Sequence, residues 1–515
     1  MSSKVESKTA TSVAVFIINR YFIKNTPLNN KTLRDIKMET FRKEVLHLDE
    51  NQTINITWRY NENSFAGKLS LSPSNITIKF TGETRYGREF PFLSIPEDEL
   101  IFCSFTSTFI AYNLKPIHGF SKILDENSTF FECEYSVGHL IFLPTNFYNE
   151  KFGVECIDIH SDILSSWIGI TKKQQEIIEL HSQGKNLFTH KFDANQISCC
   201  VNEDLFLSIG YNLSTYQSFK DFSYGFEYPP SLSLHFRNDQ NFSSIKHLFD
   251  DIYSLLCFFI GGDFPITKVA LHVEHYSQRM PGFLYFPTHI EHRAERSPYN
   301  FFPLGHDLAF DTIGLPSLPI HVFEKFFSLE KKNKSLFVKL LKYRRMNNIE
   351  ERFLGYFRLL ESLCHQTKFH LDPDALKALI KRVKPFMRKY FHNSKGVSSF
   401  LNGLPRFNRS KYNTEKCISD FYRTLPTTIT NQWNLNAQDI KDICTLRNDI
   451  THANDFYIDE QELTRKTVFI ETLLIFSLGE KIGIDMEIMG AVIHRLNGYH
   501  MLINSNINYT KALSN

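Results

Sequence analysis

Ala437–Ala453 reads AQDIKDICTLRNDITHA, and its spacing decides the fold of the C-terminal part of the chain. Ile440, Ile443, Leu446 and Ile450 recur at three- and four-residue steps, the period of an amphipathic helix. Arg447 comes seven residues after Ile440 and so falls inside that apolar stripe. An unpaired guanidinium there is costly, so Arg447 must face a partner, a cleft or an interface. The plainest reading is a structural ion pair, for which Glu361 is the candidate partner. Asn448 and His452 complete the string RNDITH. An arginine five positions ahead of a histidine also occurs at Arg42/His47 and Arg495/His500, but only Arg447 is followed by an amide.

Outward from this segment the 3.6-residue period continues on both sides. It predicts further helices near 319–329, 333–346, 349–366, 373–391, 413–424, 460–480 and 484–496, a bundle over residues 320–515. Asp372-Pro373-Asp374 is a helix start: a capping acid, a proline at the first helical position and an acid in the first turn. Pro385 should kink or shorten that helix. Residues 393–412 (NSKGVSSFLNGLPRFNRSKY) read as a basic, aromatic loop.

Before about residue 310 the pattern alternates. Ile54–Tyr60, Asn75–Phe80, Leu100–Tyr112, Leu140–Leu143, Gly153–His160, Ser231–Phe236 and Ile266–His275 predict strands of an antiparallel sandwich or barrel. Helices from about Thr171 to Gly184 and over Ser243–Ile260 interrupt them. The expectation is an α+β multidomain chain: a β-rich antiparallel N-terminal domain over 1–310, then an all-α domain over 320–515.

Charge divides along the same line. The 515 residues sum to +2, yet Lys331–Lys411 holds 20 basic residues against 5 acidic ones, and residues 1–330 carry a net −9. A concentrated positive surface attracts phosphates.

Several classes are excluded. The apolar runs, such as Leu255–Ile260, are far shorter than the roughly 20 residues of a spanning helix. Val13–Ile18 is too short for a signal peptide, so a cytoplasmic protein without membrane contact is expected. The nine scattered cysteines contain no C-x-x-C, which fits neither a disulfide scaffold nor a zinc ribbon. No phosphate-cradling glycine loop and no G-x-S-x-G is present. Two H-x-E-H strings, His272–His275 and His289–His292, are divided between opposite faces by strand alternation. No metal centre and no cofactor is expected from them.

Residues five apart on a helix are separated by about 140° and about 7.5 Å of rise. Arg447 and His452 therefore meet at one substrate only if the helix ends near Thr451 or if two copies of the motif come together. A two-fold homodimer supplies the second arrangement. Arg447 would bind a scissile phosphate through its two-pronged guanidinium. His452 would move the proton of a ribose 2′-OH.

The RNDITH element, the helix Ile349–His365 (IEERFLGYFRLLESLCH) and the domain order resemble the HEPN superfamily, whose signature is R-x(4–6)-H with a polar residue after the arginine. Phe258–Leu271 (FFIGGDFPITKVAL) is similar to a stretch in the ApeA-like branch found in prokaryotic anti-phage defence. The resemblance implies a metal-independent endoribonuclease with Arg447, Asn448 and His452 as catalytic residues. It also implies abortive infection, with host RNA, often tRNA, cut after a phage-derived activator is sensed. Arg344, Arg345, Lys377, Lys381, Lys384 and Arg388 are the residues expected to grip the RNA. The alternative is a non-catalytic RNA- or nucleotide-binding protein, or a phage sensor whose helical half only dimerises.

Overall fold

The computed structural model describes residues 46–60, 63–85, 99–125, 128–145, 152–187, 192–218, 223–275, 278–288, 300–305, 307, 314–366, 368–409, 413–452, 454 and 457–503. The chain forms two compact units. One is Met1–Lys246 with Pro265–Ile290 and His306–Ala309; the other is His247–Phe264 with Glu291–Gly305 and Phe310–Asn515.

The first unit is built from strands β1 (Gln52–Tyr60), β2 (Asn63–Leu71), β3 (Ile76–Arg85), β4 (Glu99–Cys103), β5 (Thr108–Tyr112), β6 (Lys115–Ile123), β7 (Ser128–Ser136), β8 (His139–Leu143), β9 (Gly153–His160), β10 (Asn195–Cys200), β11 (Leu205–Tyr211), β12 (Ser214–Ser218), β13 (Ser223–Glu227), β14 (Pro230–Gln240), β15 (Lys268–His275) and β16 (Gln278–Tyr285). Helices α1 (Asp162–Ile168) and α2 (Lys172–Ser182) follow β9, the second capped by Thr171 and Gln174 in a reciprocal box. Among the described residues fourteen strands pair antiparallel in the order β10-β11-β14-β9-β15-β16-β8-β5-β4-β1-β2-β3-β7-β6, and β12 with β13 makes a separate hairpin. Pairing thus runs through one continuous sheet. Among the described residues β10 and β6 do not pair with each other, so no barrel closes.

The sheet's interior explains the use of phenylalanine. Phe65, Trp58, Phe80, Phe102, Phe109, Phe142 and Phe283 form a chain of ring contacts with centroids 5.3–6.0 Å apart; Trp58–Phe80 and Phe80–Phe102 bridge strands that are not paired, so the sheet curls around these rings. Such cross-strand aromatic pairs add to plain area burial. The single strand expected over Leu100–Tyr112 is two, because the Ser104 backbone N–H closes a turn on the Ser107 carbonyl at 2.7 Å.

The second unit holds most of α3 (Phe242–Ile260), then α4 (His321–Ser328), α5 (Lys331–Arg344), α6 (Ile349–Cys364), α7 (Pro373–Phe391), α8 (Ser394–Asn408), α9 (Thr414–Tyr422), α10 (Thr427–Thr430), α11 (Asp439–His452), α12 (Glu460–Lys481) and α13 (Met486–Val492). Helix α12 buries residues on every side from Leu463 to Gly479, so it is the core of the bundle, and α6 packs along it. Pro385 sits inside α7 without shortening it. The expected loop 393–412 is in fact largely helix α8. Asn393 caps it by accepting from the Gly396 N–H at 2.8 Å, while Val397 and Leu401 are buried. Among the described residues no helix is long and apolar enough to cross a membrane.

Candidate active site

Helix α11 carries Arg447, Asn448 and His452, and neighbouring helices fix the arginine. Its Nη2 lies 3.1 Å from Oε2 of Glu361 on α6, and its Nη1 lies 2.9 Å from Oδ1 of Asn448. The guanidinium carbon stands 5.4 Å from the centroid of Phe357, one turn before Glu361. The other Glu361 oxygen accepts from the Thr414 hydroxyl at 2.6 Å, at the first residue of α9. The guanidinium is therefore held by a carboxylate, an amide and a ring face. It keeps 27% of its side chain exposed, and a guanidinium has five N–H donors to offer.

Asn448 and His452 are exposed. Helix α11 runs through His452, where the Asn454 N–H reaches back to the Asp449 carbonyl at 3.0 Å, a six-to-one closure that ends the helix. The Asn454 side-chain amide also donates to the Asp449 carboxylate at 3.0 Å. Because the helix persists to His452, the angular separation of about 140° from Arg447 persists with it. Next to Arg447, burial is the main cause pushing the Cys444 thiol up to about 12, with Glu415 and Glu361 adding to it against Arg447. A thiol so protonated is no nucleophile at neutral pH.

The basic residues separate into two kinds. Arg344 keeps only 10% of its side chain exposed, with Nε 2.6 Å from Glu471 on α12 and Nη1 3.4 Å from the Cys257 carbonyl. Arg345 makes a two-pronged pair with Asp263 at 2.7 and 2.8 Å. These two arginines spend their charge inside the helical unit and leave the RNA-gripping set. Lys377, Lys381 and Arg388 on α7 are exposed and Lys384 is half-buried. They follow one another at three- and four-residue steps and form a single row.

That row lies on a hairpin. Helices α7 and α8 pack chiefly on each other. Their ends are tied by buried Asn408, which accepts from the Leu371 N–H at 2.7 Å and donates to the Leu371 carbonyl at 2.8 Å. The basic row shares its side with Ser398, whose hydroxyl accepts from Arg388 at 2.8 Å. By helical spacing the other side carries Leu379, Phe386, Tyr390, Phe400 and Phe407. All five are exposed, Phe386 by 70%, although they are large and apolar. From Lys368 to Lys411 the only acids are Asp372 and Asp374, at the start of α7.

Of the two H-x-E-H strings, His289–His292 lies outside the described residues. His272 on β15 meets Asp158 on β9, with Nε2 to Oδ2 2.7 Å, and so finds its partner on a neighbouring strand instead of in its own string. Glu361 was legible in the sequence as a partner of Arg447, whereas Phe357 and Thr414 were not. Phe357 stands four residues before Glu361, the step that places both on one helix face.

An R-N-x(3)-H string, its arginine clamped between helices of a bundle that follows a large antiparallel sheet, is the build of a two-module HEPN protein. Residues 354–488 match the Apea-like HEPN family model, and residues 54–317 match that of ApeA N-terminal domain 1. The chain belongs to the ApeA-like HEPN family, a defence-associated group. No curated protein and no solved structure matches it significantly.

Proposed function

We propose that this protein is an endoribonuclease of anti-phage abortive infection, active as a homodimer and needing no metal for cleavage. One observation carries the reading: Arg447 is held in place yet partly exposed, on the same helix as exposed Asn448 and His452. HEPN domains are generally associated with ribonuclease activity, which supports it. In this reading two copies of α11 meet about a two-fold axis, so that Arg447 of one faces His452 of the other. Arg447 binds the phosphate; Asn448 keeps its fork oriented. His452 takes the proton of the ribose 2′-OH, the 2′-oxygen bonds to phosphorus, and the bond to the 5′-oxygen breaks. That oxygen leaves with the proton returned by an imidazolium. The products are a 2′,3′-cyclic phosphate and a 5′-hydroxyl. Lys377, Lys381, Lys384 and Arg388 hold the RNA backbone, with the aromatic side of the α7–α8 hairpin offering faces on which unpaired bases stack. Host RNA, tRNA included, is the substrate, and a phage-derived signal is the trigger.

The rival reading is a bundle that binds RNA without cutting it. The Arg447–Glu361 ion pair favours it, since a guanidinium so engaged can be purely structural. Incubating RNA with wild-type and His452→Ala protein in EDTA decides between them. Cleavage by wild type alone, leaving cyclic-phosphate ends, is expected. Equal cleavage by both, or none by either in the presence of activating phage extract, overturns the nuclease reading.

A further inference from the structure

We propose that Cys156, Asp158 and His272 form a site for a divalent transition metal of the zinc class in the sheet of the first unit. Strand register brings the three together, with His235 alongside. His235 on β14 is directly opposite Cys156 on β9, and Cys156 is directly opposite His272 on β15. Directly opposite residues point to the same face. Asp158, two residues beyond Cys156, shares that face by the two-residue period. One thiol, one carboxylate and two imidazoles thus occupy adjacent positions on three adjacent strands.

The distances bring three donors within reach of one ion. Bonds of 2.0–2.3 Å to zinc imply ligand atoms about 3.4 Å apart. The Cys156 Sγ lies 3.4 Å from Asp158 Oδ1, and His272 Nε2 lies 2.7 Å from Asp158 Oδ2. The three donor atoms all fall within 4.8 Å of one another. His235 Nε2 is 3.0 Å from the Ser208 hydroxyl and lies outside this donor set, so a water would fill the fourth position. A thiolate, an imidazole and one carboxylate are the donor types that select zinc over magnesium or calcium.

The frame is rigid and the ion has a way in. On the opposite face Ile157, Ile159, Leu232, Leu234, Leu271 and Val273 are buried to within 1%, locking the strands. On the donor face Asp158 and His272 keep 16% and 33% of their side chains exposed. Three further carboxylates, Glu155, Asp239 and Glu274, cluster nearby against Arg279. That local excess of negative charge favours a cation. The ion would clip β9 and β15 together.

The test uses the full-length protein and is independent of the nuclease reading. Elemental analysis of the purified chain, then cobalt titration after dialysis against a chelator, should show one metal equivalent and a thiolate-to-cobalt charge-transfer absorption. Cys156→Ser should abolish that absorption, and Asp158→Asn or His272→Ala should weaken uptake by at least about tenfold. His160→Gln, on the same face but outside the donor set, should leave it unchanged. Zinc should raise the Tm of wild type and not of Cys156→Ser. Absence of stoichiometric metal in wild type both before and after titration, or unaltered uptake in all three ligand variants, overturns the proposal.

Discussion

Arg447 and Glu361 stand 86 positions apart in the chain and 3.1 Å apart in the structure. The carboxylate is itself anchored by Thr414, so two other helices position the guanidinium together with Asn448 of its own. A partly exposed ion pair of this kind contributes little to stability, about 0–1 kcal/mol. Its use is orientation.

Arg447→Ala should therefore leave the thermal midpoint nearly unchanged while RNA cleavage falls by about a hundredfold or more. Arg447→Lys keeps the charge but loses the fork, so it should restore only part of the rate. A melt and a gel-based cleavage assay on the same preparations check both. Unfolding of the alanine variant would mean that the pair is structural.

The two classes of basic residue should behave in opposite ways. Arg344→Ala leaves Glu471 buried without its partner and should destabilise the helical unit by about 3–5 kcal/mol. Lys381→Ala and Arg388→Ala should shift stability by about 0.5 kcal/mol or less. In a His452→Ala background they should flatten the salt dependence of RNA affinity, the slope falling by roughly one for each phosphate that is no longer neutralised. Denaturant melts and binding isotherms at several salt concentrations separate the two outcomes.

Cys444 should prove chemically quiet despite lying one turn from Arg447. Held near 12 by burial, its thiol should resist alkylation at pH 8, where exposed Cys200 reacts. Cys444→Ser should retain cleavage. Mass spectrometry of alkylated native protein gives the answer.

Asn408→Ala removes both bonds that tie the ends of the α7–α8 hairpin and leaves the Leu371 amide and carbonyl without those partners. The cost should be about 1–3 kcal/mol. Amide exchange should quicken across α7 and α8 and stay slow in α12.

The helical unit was largely legible because each helix carries its own period and caps. Ile320, Glu330 and Pro426 make no side-chain cap, but the starts of α6, α7, α9 and α12 are marked by Asn348, Asp372, Asn413 and Asp459, whose side chains accept backbone N–H groups. Helix α8 escaped because Gly396, Gly403 and Pro405 mimic a loop, while the packing of Val397 and Leu401 outweighs them. The sheet was legible strand by strand but not as an assembly. Nothing local in Gly153–His160 says that β14 and β15 are its neighbours. The same limit hid the Cys156–His272 group, whose members are up to 116 positions apart. A count of charges cannot distinguish Arg344 from Lys381 either, because burial is set by tertiary packing, here of α5 on α6 with Glu471 of α12 meeting Arg344.

Helix α11 turns Arg447 and His452 to different sides, so each groove would be a hybrid of two chains. Mixing two inactive preparations, Arg447→Ala and His452→Ala, and letting subunits exchange then yields heterodimers that keep one intact groove of two. With random pairing half of all dimers are mixed, and about a quarter of the wild-type rate should return from proteins that are dead alone. A groove made within one chain would give no such complementation.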